Sequence, residues 1–343
     1  MPETACPACG AATVEGDRFC EACGHDLSQP APAASASVQE PAADRWLSSA
    51  GAPTACTTCG GTGFDAEGFC ENCGQRRSAG HDHRELDLGV VAGVTDRGQR
   101  HHRNEDAMGL GTGSGALVAV VCDGVSSSNR PDTASHAAVH AATPVLLDGL
   151  DEGPELAIVA AARAAQAAAA LVAGSEPGPN PPSSTFVCAV VQDGTVTVGW
   201  VGDSRAYWLP ETGEPECLTV DDSLAGRLAA AGVPVAERPQ HGPATALVRW
   251  LGADAPDTAP HLVTRHPTGP GRVLVCSDGL FRYRPAAADL AAITPAKSPV
   301  QTARDLVDFA NGEGGQDNIT AVILSYPPAV LADQYVLEDQ SRE

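Results

Sequence analysis

Large apolar residues are sparse over roughly the first 85 positions, and from Leu86 onward the chain takes on the periods of strands and helices. Segment 86–94 reads as a strand. Segment 116–122 is a continuous apolar run that ends at Asp123-Gly124, as expected of a strand buried on both faces. Two alanine-rich stretches, roughly 132–147 and 155–172, predict helices, with Gly and Pro punctuating their ends. Segments 185–191 and 195–209 flank Asp193-Gly194 and predict a hairpin. A further strand over 272–276 runs into Ser277-Asp278-Gly279. Val300, Ala303, Leu306, Val307 and Ala310 form the apolar stripe of a helix over 300–310 that stops at Asn311-Gly312, and 319–325 reads as a last strand. Hairpins mixed with paired helices predict a largely antiparallel α+β domain.

The apolar-poor N-terminal region has a different organising principle. Cys6, Cys9, Cys20 and Cys23 follow the spacing C-x2-C-x10-C-x2-C, and Cys56, Cys59, Cys70 and Cys73 repeat it 50 residues later. Two such knuckles can close one tetrahedral shell of four thiolates, the way structural zinc is held, with no open position for catalysis. Segments of about twenty-five residues bury too little apolar surface to fold alone, so the metal supplies most of their stability. The reading is therefore two structural Zn2+ in two ribbons, 1–28 and 54–77. A linker rich in Ala, Pro and Ser joins them over 29–53, a polar linker follows over 78–85, the globular domain spans 86–328, and 329–343 is an acidic tail. Disulfides are the alternative use of these cysteines.

Charge and compartment narrow the partners. A net charge of −22 over 343 residues disfavours nucleic acid and anionic membranes, both of which are bound by neutralising phosphates with Lys and Arg. The longest apolar stretch, 156–173, carries Arg163 and Gln166 and reads as a helix of a soluble domain. Metal-binding cysteines without an export signal point to the cytoplasm. Cys122, Cys188, Cys217 and Cys276 sit in strand-like contexts and read as small core residues, not nucleophiles.

The candidate chemistry lies at the ends of the predicted strands. Glu105-Asp106, Asp123-Gly124, Asp203, Asp278-Gly279 and Asp317-Asn318 each place an acid next to a loop. Any one of them alone suits a turn or a cap. A cluster of carboxylates stays ionised only if cations neutralise it, and hard oxygen ligands select Mg2+ or Mn2+. Two such ions would activate a water for in-line attack on phosphorus.

Six motifs occur in a familiar order: Arg-Asn-Glu-Asp-Ala at 103–107, Val-Cys-Asp-Gly-Val at 121–125, Ser-Ser-Thr-Phe-Val at 183–187, Gly-Asp-Ser-Arg-Ala-Tyr at 202–207, Cys-Ser-Asp-Gly-Leu at 276–280, and Gly-Gly-Gln-Asp-Asn-Ile-Thr at 314–320. Together they resemble the type 2C metal-dependent protein phosphatases, the PPM family. The resemblance implies a four-layer α-β-β-α sandwich of two mainly antiparallel sheets flanked by helices, preceded here by the two ribbons. It also implies hydrolysis of phosphoserine and phosphothreonine by a water bridging two Mn2+ or Mg2+ ions. By similarity Asp123 bridges the metals, and Asp278 and Asp317 complete the first site. Glu105 or Asp106 and the Gly124 carbonyl serve the second. Asp203 with Asp278 corresponds to a third, weaker metal position, near which Thr245 lies. Phosphoproteins that are targets of a serine/threonine kinase would be the substrates, and the ribbons would recruit a protein partner or regulate the enzyme.

The chain departs from the family pattern at two functional positions. His101 stands where most members have a phosphate-gripping arginine, inside a basic run with Arg100 and Arg103 as further phosphate-binding candidates. Val125-Ser126-Ser127 replaces the usual glycine pair, and Val125 cannot protonate a leaving group as a histidine near this position does in some relatives. Two other function classes stand beside the enzyme: a nucleic-acid-binding ribbon protein, disfavoured by charge, and a catalytically weak scaffold that binds phosphoproteins, disfavoured because no metal carboxylate is lost.

Overall fold

Every strand of the two large sheets runs antiparallel to its neighbours, as the hairpin-rich sequence predicts. A computed structural model of the protein describes residues 4–5, 12–13, 45–49, 71–73, 82–175, 178–234, 246–294 and 297–327. The chain divides into two units, 1–43 and 44–343. In the first, β1 (Thr4–Ala5) and β2 (Ala12–Thr13) pair antiparallel, on either side in sequence of the Cys6 and Cys9 knuckle. Of the eight ribbon cysteines only Cys73 falls among the described residues, exposed in a turn. The other seven, with Thr245 and the 329–343 tail, lie outside them.

The second unit begins with β3 (Arg45–Ser48), β4 (His83–Asp87), β5 (Val91–Asp96), β6 (Asp106–Gly113) and β7 (Ala116–Asp123). Helices α1 (Pro131–Asp148) and α2 (Pro154–Val172) follow, then β8 (Ser183–Ser184), β9 (Phe186–Gln192), β10 (Thr195–Val201), β11 (Arg205–Pro210) and β12 (Glu216–Cys217). The remainder is α3 (Leu224–Ala230), β13 (Leu251–Gly252), β14 (His261–Arg265), β15 (Gly271–Cys276), α4 (Asp278–Phe281), α5 (Ala287–Ala292), α6 (Pro299–Gly312) and β16 (Ile319–Tyr326). One sheet has the order β14-β10-β9-β7-β6-β3 and the other β12-β11-β15-β16-β5-β4; β13 and β8 make a small pair.

Side-chain alternation explains the four layers. On β7, Leu117, Ala119 and Val121 point between the sheets, where they meet Val273, Val275, Val322 and Leu324. Val118, Val120 and Cys122 point the other way, under the alanine faces of α1 and α2. Leu274, Cys276, Ile319 and Ile323 cover the far side of the second sheet beneath α6. Strands buried on both faces read as unbroken apolar runs, which is why β7 and β15 were legible without periodicity. Helix α2 is long and apolar enough to cross a bilayer, yet Ala161, Ala165 and Ala169 are buried in the core, and its Gln166 exchanges two 2.9 Å hydrogen bonds with the backbone of Gly252.

Four departures from the sequence-based expectations have physical causes. The run 195–209 is two strands: β10 stays in the first sheet and β11 crosses to the second, breaking at Gly202, whose φ of +109° only glycine adopts without strain. The run 86–94 is a hairpin, with β4 and β5 turning at Gly89 (φ +82°). Strand β6 was not anticipated, because Gly109 and Gly111 interrupt its alternation. Within the span 29–53, expected to be linker, β3 pairs with the edge strand β6, and Trp46 packs edge-on against His140 of α1 at 5.4 Å.

Candidate active site

The register of the sheets brings the strand-end acids to one place. Asp106 opens β6 and Asp123 closes β7, and they are direct cross-strand partners. Asp203 sits in the crossover between β10 and β11, Asp278 begins α4 directly after β15, and Asp317 precedes β16. Because β15 and β16 are neighbours, their ends deliver Asp278 and Asp317 side by side. A Cβ on Gly279 would lie 1.9 Å from the carbonyl oxygen of Asn318, so only glycine lets α4 approach the 317–318 backbone this closely. Asp123, Asp203, Asp278 and Asp317 line one cavity of about 540 Å³, with Gly124, Ser126 and Trp250 on other parts of its wall.

Supporting groups hold these acids in place. Asn318 accepts from the Glu105 N–H at 2.8 Å and donates to the carbonyls of Arg97 and Arg103, tying the 97–105 loop to Asp317. Thr185 Oγ1 accepts from the Asp123 N–H at 3.0 Å. The Asp203 turn is braced by Asp222, which accepts from the Gly202 N–H at 3.0 Å. Arg205 forks onto both oxygens of Asp221 at 2.8 Å and stacks over Phe281 at 3.8 Å, linking β11 to α4.

Electrostatically the cluster is incomplete without cations. Burial, then repulsion from Asp106, Asp278, Asp317 and Asp203, pushes the Asp123 carboxyl well above the usual range. Asp203 is raised by burial and by Asp278 and Asp221, and Asp278 by burial and Asp317. Asp106 is pushed up to about 7 by burial, against hydrogen bonds from Ser277 (2.7 Å) and Thr320 (2.8 Å) to its Oδ2. Its buried Oδ1 has no hydrogen-bond partner among the described residues. Like charges paired directly across strands destabilise a sheet, and such a set of all-oxygen donors fits hard divalent ions. Hard oxygen donors of this kind favour Mg2+ or Mn2+ over zinc.

The other candidates have different surroundings. Glu105 is buried, accepts from Ser126 Oγ at 2.9 Å and lies 3.6 Å from Arg103. Arg103 also pairs with Asp132 at 3.2 Å, Arg100 is exposed, and His101 Nε2 sits 3.1 Å from Asp317 Oδ1; none of the three lines the cavity. Cys122, Cys188 and Cys276 are fully buried, and burial pushes the Cys188 thiol up to about 12, so these are core residues without nucleophilic character. One site residue escaped the sequence reading: Arg282, which the cavity wall includes, stands four residues after Asp278, a spacing that means little until the fold places both on the cavity. Asn318, singled out in sequence only as the neighbour of Asp317, braces the 97–105 loop.

Comparison with known proteins agrees with this architecture. The family described as Protein phosphatase 2C matches residues 95–321, and the family Double zinc ribbon matches residues 6–74. The serine/threonine phosphatase stp of Listeria innocua is 30% identical over 239 residues, covering 67% of this chain and 93% of the relative. The crystal structure of the Mycobacterium tuberculosis serine/threonine phosphatase PstP/Ppp shares 26% identity with a TM-score of 0.57, covering 68% of this chain and 96% of that one. The PPM Ser-Thr phosphatase MsPP of Mycobacterium smegmatis, in complex with cacodylate, shares 27% at a TM-score of 0.55, covering 69% and 98%. A structure of the PstP catalytic domain contains 2 manganese ions; it is 26% identical, with a TM-score of 0.56 over 68% of this chain and 96% of that one. Convergent strand-end acids, the α-β-β-α layers and these matches lead to one conclusion: the chain belongs to the type 2C, or PPM, family of metal-dependent serine/threonine protein phosphatases.

Proposed function

We propose that the protein hydrolyses phosphoserine and phosphothreonine in phosphoproteins at the 540 Å³ cavity, with Asp123, Asp278, Asp317 and the Gly124 carbonyl holding two Mn2+ or Mg2+ ions. Glu105 or Asp106 would serve the second ion, and Asp203 with Asp278 would offer a weaker third position. When bound, such a pair supplies the Lewis acidity that activates a water for in-line attack on phosphorus. The observation that carries this reading is the convergence of four aspartates on one cavity, three of them raised by burial and one another's charge. The chain's own residues contribute placement: Asn318 and Thr185 hold the loop and strand that carry the acids, and Gly279 lets two strand ends meet. Cys122, Cys188 and Cys276 are buried away from the cavity and offer no thiolate nucleophile, which supports direct attack by water.

The N-terminal cysteines would hold two structural Zn2+, and the ribbons would recruit a protein partner or regulate turnover. Phosphoproteins made by a serine/threonine kinase are the matching substrates. A phosphothreonine peptide assay tests the catalytic reading. Turnover should require Mn2+ or Mg2+ and disappear reversibly on chelation, and Asp278→Asn should lower kcat by about a hundredfold or more with the fold retained. Activity that survives chelation, or a trapped phosphoenzyme, overturns the mechanism.

A further inference from the structure

Five carboxylates, Asp254 among them, wall the cavity, and a substrate phosphoryl group entering it carries negative charge of its own. A cation of the protein on the cavity wall would meet that charge alongside the ions the acids would hold. Among the described residues of the cavity wall, Arg282 is the one cation. It lies one helical turn after Asp278, and its Nε and Nη2 both donate to the same oxygen, Asp278 Oδ2, at 2.9 and 2.5 Å. Nη2 also lies 3.6 Å from Asp317 Oδ2. Its side chain is 57% exposed, so the guanidinium sits at the mouth of the cavity, not behind it. By contrast His101 is turned onto Asp317, Arg103 is held by Asp132 and Glu105, and Arg100 is exposed off the wall.

We propose that Arg282 is the residue that grips the substrate's phosphoryl group, the part the family pattern would assign to position 101. The proposal rests on the phosphatase reading above. A guanidinium is a planar fork that matches two non-bridging phosphate oxygens, and on a long, half-exposed side chain it can leave Asp278 without disturbing the backbone. The same group has two successive partners. Without divalent ions it is the counter-ion of Asp278 and Asp317. Once those acids are engaged elsewhere, its donors turn to the phosphoryl oxygens. Arg282 forms no bond in the reaction. It binds and orients the group that water attacks.

The test uses the full chain loaded with Mn2+, a phosphothreonine peptide, and inorganic phosphate as a product inhibitor. Arg282→Ala should raise both KM for the peptide and the inhibition constant of phosphate by about tenfold to a hundredfold, the cost of losing a charge-assisted pair. Arg282→Lys, which keeps the charge but not the fork, should fall between. Arg284→Ala, which removes an exposed arginine paired with Glu313 at 3.9 Å, should change neither. Two calorimetric readouts need no turnover: phosphate should bind the Mn2+-loaded Arg282→Ala protein more weakly than wild type, and Mn2+ should bind the metal-free variant more tightly, because a competing cation is gone. An unchanged phosphate affinity in folded Arg282→Ala overturns the proposal, even if Mn2+ affinity changes, since a merely structural ion pair would move only the latter. The same loss appearing in His101→Ala and not in Arg282→Ala returns the role to His101. A wild-type protein that binds phosphate through Arg282 but turns over no phosphopeptide would sink the phosphatase reading and leave Arg282 as a phosphate-binding residue without a substrate role.

Discussion

At the scale of single residues, Asp106 and Asp123 face each other across β6 and β7, a pairing that costs stability unless a proton or a metal ion neutralises it. Their carboxyls, with those of Asp203 and Asp278, titrate higher in the folded protein than in the unfolded chain, Asp106 at about 7. The folded state therefore holds extra protons above the ordinary aspartate value of about 3.9, and stability is lost as pH rises from that value to the folded ones. We expect the thermal midpoint of the metal-free protein to fall as pH rises from about 4 to about 7, the window Asp106 sets, and Mn2+ to flatten that fall. Asp123→Asn, which removes one repelling charge, should raise the metal-free midpoint at pH 8 by about 2–4 °C, the shift about 1 kcal/mol produces in a domain of this size, while turnover collapses. Scanning calorimetry decides it: a midpoint lower than wild type would mean that Asp123 is a structural acid. The strand-end acids were legible because an aspartate beside Gly or Asn at the end of an apolar run has a positional signature. Arg282 was not, since an arginine four residues past an aspartate acquires meaning only when the fold puts both on a cavity.

At the scale of elements, strand β3 ties the segment before the main domain to the sheet that carries half the site. Ser49 donates its N–H to the Met108 carbonyl at 2.9 Å, and its Oγ accepts from the Met108 N–H at 2.8 Å, two residues from Asp106. Ser49→Ala would leave that buried N–H without its acceptor, at a cost of about 1–3 kcal/mol. A catalytic fragment should therefore begin near Asp44 and not at Leu86, which would omit β3 and half of β4. Denaturant unfolding of fragments 44–343 and 86–343 checks this, with the shorter one expected to be clearly less stable. Equal stability would reduce β3 to an ornament of the edge. The helices were readable from their stripes and the buried strands from their unbroken apolar runs. Strand β3 was not, because four residues inside a span rich in Ala, Pro and Ser carry no period.

At the scale of the whole molecule, a charge of −22 acts on every anionic substrate before any contact is made. Phosphopeptides flanked by Lys or Arg should be turned over with a kcat/KM about tenfold above the same peptides flanked by Glu at low ionic strength. The preference should shrink toward parity as salt rises to about 0.5 M and the field is screened. A preference that ignores salt would mean that local contacts, and not the overall field, select the peptide. The same charge disfavours nucleic acid as the partner of the ribbons proposed for residues 6–74.

The order of the six motifs pointed by resemblance to the family, while apolar period and the acids at strand ends pointed to the α+β class and the converging carboxylates, because these are local properties that a linear chain displays. Tertiary structure alone decided where Gly202 sends one apparent strand into two sheets, which edge β3 closes, that Asn318 is a brace, and that Arg282, and not the basic run at 100–103, lines the cavity. Those outcomes depend on which strand ends meet and which cations they leave facing the cavity. That is a matter of register and packing between segments more than two hundred residues apart, such as β5 and β16, and no local pattern encodes it.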